Sequence, residues 1–269
     1  MTYEQWQIGL EIQEDGIRAL ALTARRGALR LRRWWQLPLP HGCLVGGVVA
    51  EPEALTAVLR QWRKTLPGWH RLRLGFPAHR TLLRQVPLPT ARLSEPECER
   101  YIAGAAARQV GVAAETLALD YHPTADGKAL SVIAAQQGEV ACLMRCARQA
   151  RLNLTAITPD ASAPGALVRH LSAPLRGLVS WHSGKWYLAC DTHWGWGEPP
   201  AVATFEQACA LLGMAPHDAA WCALPAGVAA PEAQAFDPWR TFTHLQPPLP
   251  LEPEKWLVPI GLAVGEAMS

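Results

Sequence analysis

The chain has 269 residues, enough for one large domain or two lobes, and its 49% hydrophobic and 18% charged composition excludes disorder as a reading of the whole. The N-terminal MTYEQWQIGLEIQEDG lacks a basic start followed by an apolar run, and no stretch approaches the ~20 uninterrupted apolar residues of a membrane helix, so a soluble, cytoplasmic protein is expected. The net charge of +2 hides an asymmetry: residues 1–92 hold 14 Lys+Arg against 6 Asp+Glu, and the remainder 11 against 17. Such a basic part suits acidic phospholipid or nucleic acid, although a solvated basic face is the plainer reading.

In chain order, residues 6–12 and 17–22 read as strands of a β-hairpin around the turn Glu14-Asp15-Gly16. A third strand over 28–37 is stopped by Pro38, Pro40 and Gly42. Leu55, Val58, Leu59, Trp62 and Leu66 mark one face of a helix over 53–66. Strands over 71–76 and 81–86 follow, then a helix opened by the capping box Ser94 to Glu97, with Cys98, Tyr101, Ile102 and Ala105 on its stripe. Strands near 116–122 and 129–135 join at Asp126-Gly127. A helix over 138–151 points Val140, Leu143, Met144 and Ala147 inward, and a strand over 152–158 ends at Pro159. Asp160 is expected to cap a helix. A second hairpin spans 177–190 and turns at Ser183-Gly184. A helix near 204–213, a strand near 219–224 and a helix from about 258 complete the chain. QPPLPLEP at 246–253 reads as an extended segment packed along the protein's own surface. Alternating strands and helices indicate α/β layers, and two hairpin-led halves suggest an internal duplication.

Phosphate-loop, dinucleotide, nucleophile-elbow and zincin motifs are missing from the sequence. Seven dispersed cysteines read as reduced thiols, and Cys142 with Cys146 lacks the further ligands of a zinc site, so no metal is expected. His182 and His193 with Asp191 read as packing or surface groups for the same reason. Trp181, Trp186, Trp194 and Trp196 cluster at the second hairpin. A base-stacking platform is one reading, but arginine is sparse there, which favours packing on one face of a sheet otherwise left uncovered.

IGLEIQEDGIRAL at 8–20 resembles the opening of the type IV pilus assembly PilM family. In order after it, RRWWQLPLP (32–40), LRLGFPAHRTLLRQVPLP (72–89), LNLTAITPDASA (152–163), FDPWRTF (236–242) and VPIGLAVGEAM (258–268) resemble later parts of the same family. WQIGL, RWWQLPLP, ITPDASA, FDPW and QPPLP together resemble a short form within that family, which implies a link to bacterial use of external DNA as a nutrient. The resemblance implies an actin-like fold of ribonuclease H-like lobes, related to the cell-division protein FtsA. Its expected parts are a first lobe opening over 1–71, an inserted α/β subdomain with return strand over 72–158, and the end of the first lobe with a reduced second lobe over 159–269. It also implies a place on the cytoplasmic face of the inner membrane and, as partner, the cytoplasmic tail of a PilN-like membrane protein. Leu82, Leu83, Val86 and Ile133 are the candidate contacts for that tail. Actin-like ATPases hold phosphate and magnesium between two hairpin turns. Here the family's aspartate, glycine and serine positions in the first hairpin carry Glu11, Gln13 and Glu14. The second hairpin carries Ser180 and His182 in place of aspartate and glycine. Gly261 and Gly265 resemble the adenosine-side segment. The expectation is a non-catalytic scaffold of a DNA-uptake apparatus without cofactor. An ATP-binding switch and a direct DNA binder are the alternatives.

Overall fold

The computed structural model describes residues 4–89, 94–124, 127–228 and 234–267. Strands β1 (Trp6–Gln13), β2 (Gly16–Arg25) and β3 (Ala28–Leu37) form an antiparallel meander. A small hairpin of β4 (Leu44–Val45) and β5 (Val48–Val49), not foreseen from the sequence, follows around Gly46-Gly47. Both faces of the meander are covered, so β1 and β2 are apolar nearly throughout instead of alternating. Ile8, Leu10, Ile12, Ile17 and Ala19 face α1 (Pro52–Arg63), whose Leu55, Leu59 and Trp62 are fully buried against them. Each such side chain stabilises the fold by about 1.5–3 kcal/mol relative to exposure.

Strand β6 (His70–Phe76) lies parallel to β1, and a later strand, β10, lies parallel to β6, giving the order β10-β6-β1-β2-β3. Between β6 and β10 the chain makes a separate unit. There β7 (Thr81–Pro87), α2 (Glu95–Val110), β8 (Leu117–Pro123) and β9 (Ala129–Gln136) build an antiparallel sheet of order β7-β9-β8, with α2 on one face. Helix α2 starts as read: the Ser94 N–H and hydroxyl both donate to Glu97 Oε2, and it ends at Gly111 in the left-handed region. Of the turn expected at Asp126-Gly127, Asp126 lies outside the described residues. The unit spans 81–136, narrower than the 72–158 block, because residues 72–76 and 154–158 are strands of the first lobe's own sheet. The chain returns through α3 (Gln137–Gln149), packed beside α1, and β10 (Leu154–Pro159). Met144 is 54% exposed, not inward as expected. The buried stripe runs Leu143, Cys146, Ala147 and Ala150, and residue 144 sits about 100° off it.

A 3₁₀ helix over Asp160–His170 leads into the second lobe. There β11 (Gly177–His182), β12 (Lys185–Cys190), β13 (Trp194–Gly197) and β14 (Ala219–Trp221) pair in the order β13-β12-β11-β14, with β14 parallel to β11. This repeats the β3-β2-β1-β6 arrangement, as the suggested duplication requires. The place of β10 is reduced to a single parallel bridge of Ala235 with Trp221 of β14, and one short helix, α4 (Phe205–Leu211), packs on this sheet. Trp186 is buried against Phe205, Ala208 and Cys209 of α4, with Trp181 edge-on to it at 5.3 Å. Trp194 and Trp196 pack instead with Tyr187 on the opposite face, toward the first lobe. The four tryptophans therefore divide between both faces, correcting the single uncovered face read from their spacing.

The last helix, α5 (Leu257–Ala267), lies between the lobes with Leu257, Val258, Ile260, Leu262, Ala263 and Val264 all buried. It crosses β1 directly over Gly9, where a Cβ would stand 2.0 Å from the Pro259 carbonyl oxygen. On its other side Gly261 abuts Ala163, whose carbonyl oxygen would be 2.2 Å from a Cβ. Before α5, the segment from 236 straps the edge of β3. Thr243 N–H donates to the Leu29 carbonyl, Leu31 N–H to that of His244, and Trp34 Nε1–H to that of Pro248. QPPLP thus packs on the protein's own surface.

Candidate functional site in the cleft between the lobes

The β1–β2 turn and the β11–β12 turn face each other across the junction of the lobes. The second is a tight hairpin with Ser183 and Gly184 both at positive φ. Glu11 lies on the cleft face of β1, opposite the Ile8–Leu10 core face, and is buried. Its Oε1 stands 2.5 Å from Nε2 of His182, the last residue of β11 and also buried. Gln13 Nε2 donates to the same Glu11 oxygen at 3.0 Å. Burial alone would push the Glu11 carboxyl up and the His182 imidazole down. Their mutual attraction and hydrogen bond reverse both, holding Glu11 below and His182 above their ordinary ranges, so folding favours the charged form of each. Arg18, buried beside Glu11 in register on β2, is engaged by Asp15.

A second bridge lies beside the first. Asp160 Oδ1 accepts the N–H groups of Ala78 (2.8 Å) and Ala161 (2.7 Å), and its Oδ2 accepts the Tyr187 hydroxyl of the second lobe at 2.8 Å. Asp160 therefore ties the two lobes together instead of capping a helix, because the segment it opens is a 3₁₀ turn and its side chain points into the cleft. Burial raises its carboxyl to about 6, tempered by these donors. A cavity of about 320 Å³ adjoins the Asp160–Tyr187 bridge, lined also by Gln13, Glu14, Asp15, Gly46 and Lys185 among others. Glu14 accepts the Gly46 N–H at 2.8 Å across it.

The structure brings Glu11, Gln13 and His182 into contact, places Glu14 at the cavity wall, and leaves Ser180 buried on β11. His193 is elsewhere, bonded to Thr192 on an exposed turn, so His182, His193 and Asp191 form no shared site. Gly261 and Gly265 pack against Ala163 and Arg73 rather than lining the cleft. Sequence reading missed the Glu11–His182 and Asp160–Tyr187 contacts. A signal for the first was present: one carboxylate inside the apolar run IGLEI must find a partner if the strand is buried on both faces.

In the inserted unit, Val86 is fully buried under α2 and Leu82 packs on the same core. Val86 is therefore closed to a partner, and Leu82 is half-buried on the same face, because the strand's alternation turns both toward the helix. Leu83 and Ile133 are register partners on the opposite face. Ile133 lines a groove of about 140 Å³ between this sheet and the first lobe, with Ala118, Asp120, Phe76, Val140 and Ile157.

Two ribonuclease H-like lobes joined by a shared helix, with their opening hairpins meeting in the cleft, define an actin-like protein. The chain belongs to the PilM family: the family described as "Type IV pilus assembly protein PilM" matches residues 9–162. It is 33% identical to "DNA utilization protein HofM" of Escherichia coli (strain K12), over 99% of this chain and 100% of that one. Its fold is similar to a chain of a "PilM-PilN type IV pilus biogenesis complex", with a TM-score of 0.75, 17% identity and 99% coverage of both chains. It is also similar to the cytoplasmic domain of EpsL, an inner membrane component of the type II secretion system of Vibrio cholerae, with a TM-score of 0.59, 12% identity and 99% and 95% coverage. Among the described residues, no helix is long and apolar enough to cross a membrane, and no three His, Cys, Asp or Glu side chains group as a metal site.

Proposed function

We propose that the protein is a non-catalytic scaffold of a type IV pilus-like apparatus that handles DNA, working on the cytoplasmic face of the inner membrane and receiving the cytoplasmic tail of a PilN-like membrane protein. The observation that carries the non-catalytic reading is the buried Glu11–His182 pair. The carboxylate positioned to organise magnesium is committed to an imidazolium from the other lobe, and Ser180 leaves β11 without an acid. Glu14, Asp15 and Asp160 outnumber Lys185, itself paired with Glu198, in the lining of the cavity where a triphosphate would need positive charge. These residues do not fit a magnesium nucleotide, and the protein's own side chains bridge the lobes instead.

The groove beside Ile133 supports the adaptor reading. It is apolar, lies between the inserted unit and the first lobe, and is flanked by the open edge of β8, to which an extended peptide adds as a strand. Calorimetric titration with the cognate tail peptide, with and without millimolar Mg-ATP, tests both parts. Binding in the micromolar range that Mg-ATP leaves unchanged, abolished by Ile133→Asp without loss of thermal stability, is the expected result. No binding at high micromolar peptide, or clear thermal stabilisation by Mg-ATP, defeats the corresponding half.

A further inference from the structure

Part of the positive charge gathers in one place. Residues 60–73 and 140–159 hold eight Lys and Arg and no Asp or Glu. The fold brings these two stretches together at one end of the first lobe. The last turns of α1 and α3 end side by side, and the Leu66–His70 loop is stapled to the turn after α3. Arg63 Nε–H donates to the Arg151 carbonyl and Nη1–H to that of Leu66, the Asn153 N–H donates to His70 Nε2, and Asn153 Nδ2–H donates to the His70 carbonyl. Arg63 is thereby consumed as a structural clasp. Arg60, Lys64, Arg145, Arg148 and Arg151 remain exposed, and none has an acidic partner among the described residues. Glu4, close to the Trp69 loop, is engaged by Arg32. Two large apolar side chains protrude among these cations: Trp69 at the loop tip, 55% exposed, and Met144, 54% exposed.

We propose that this end of the first lobe is a docking surface for an anionic phospholipid bilayer. Long cationic side chains spread over two helix ends match a plane of diffuse negative charge. The helix C-termini beneath them carry partial negative charge, which disfavours one deep phosphate pocket but not outward-reaching guanidinium groups. Trp69 and Met144 supply the shallow apolar contact with the headgroup boundary that indole side chains prefer. A nucleic-acid surface would set aromatics along a cationic groove, whereas here the one exposed tryptophan stands at a tip beside a methionine. This proposal does not depend on the tail groove, which lies on the inserted unit.

The test is co-sedimentation of the full chain with phosphatidylcholine vesicles, with vesicles containing phosphatidylglycerol, and, as a separate arm, its binding to duplex DNA, each across a salt series. Arg60→Gln/Arg145→Gln/Arg148→Gln is compared with a charge-matched control, Arg25→Gln/Arg84→Gln/Arg108→Gln, whose residues are exposed on β2, β7 and α2. At about fivefold per cation, the first triple should lower partition onto anionic vesicles by on the order of a hundredfold, while the control stays within about fivefold of wild type. Trp69→Ser, which changes no charge, should lower it severalfold. An unchanged urea unfolding midpoint in every variant separates a fold defect from loss of lipid contact. Equal binding to neutral vesicles, equal losses in the two triples, or an unaffected Trp69→Ser would overturn the proposal. So would DNA binding that depends on the first triple when vesicle binding does not.

Discussion

Replacing His182 by Ala tests how the lobes are held together. The substitution strips Glu11 of its ion-pair partner and leaves the carboxylate buried, with Gln13 as its remaining hydrogen-bond donor and Arg18 already committed to Asp15. Removing one member of such a buried pair costs about 3–5 kcal/mol, a large part of the roughly 5–15 kcal/mol by which a domain is stable. Replacing both by apolar residues, as in Glu11→Met/His182→Leu, removes the stranded charge and should recover most of that loss. The pH profile carries the sign. His182, with its proton affinity raised by folding, contributes fully below its unfolded value near 6.5 and loses that contribution as pH rises through the higher folded value. Glu11, lowered by folding, contributes above its unfolded value near 4.5 and loses that contribution as pH falls through the lower folded value. The pair is therefore worth most between these limits, and His182→Ala should remove the His182 share of the decline with rising pH, leaving the share due to Asp160. Urea unfolding followed by circular dichroism from pH 5 to 9 measures all of this. A loss below about 1 kcal/mol for His182→Ala, or no recovery in the double variant, would refute the argument.

Two further outcomes are expected. Gly9→Ala or Gly261→Ala should each destabilise by about 3 kcal/mol or more, since the added methyl meets backbone that cannot move without unseating α5; Gly68→Ala, with open space around it, should stay within about 0.5 kcal/mol by the same unfolding measurement. Asp160→Asn keeps acceptors for Ala78 and Ala161 and a donor for the Tyr187 oxygen but cannot ionise. Folding raises the Asp160 carboxyl from 3.8 to about 6, so wild type should lose about 2.4 kcal/mol relative to this variant as pH climbs from 4 to 7, read from their urea unfolding curves; parallel pH profiles would remove the inference.

The elements were legible where one face decided the pattern. The stripe of α1, the Ser94–Glu97 start of α2 and both hairpin turns follow from spacing and turn chemistry that act locally. Three features were not, and the causes differ. Met144 sits one residue from a buried leucine, and an apolar side chain there reads as core until the partner helix fixes the stripe. Asp160 looks like a cap because Pro159 precedes it, but its acceptors are claimed by Ala78 and Tyr187, 82 and 27 residues away. The tryptophans of β11 to β13 alternate in sequence, yet pairing sets Trp196 opposite Tyr187 and Trp181 opposite Trp186 on different faces. Glu11 and His182, both singled out from the sequence as hairpin positions, meet in the cleft. What one sequence could not supply was that Glu11 and His182, 171 residues apart, compensate each other.

That compensation bears on why the hairpins persist. The apolar packing of α5 against β1, β2 and the Asp160–His170 segment presses the two lobes together whatever lies in the cleft. Closing them without a ligand would strand any polar group on β1 and β11, at several kcal/mol for an unpaired charge. A carboxylate on one strand and an imidazole on the other meet that demand from within the chain, and Asp160 with Tyr187 does so again alongside. An aspartate in place of Glu11 would be one methylene shorter, and a glycine in place of His182 would offer no side chain at all. Glu11 and His182 therefore supply the reach and charge that join the lobes directly. Substituting glycine for His182 should accordingly open the cleft rather than restore nucleotide binding. The expected readout is faster amide hydrogen exchange in the β1–β2 and β11–β12 turns with no thermal shift from Mg-ATP, and stabilisation by Mg-ATP would show that the pair conceals a working site.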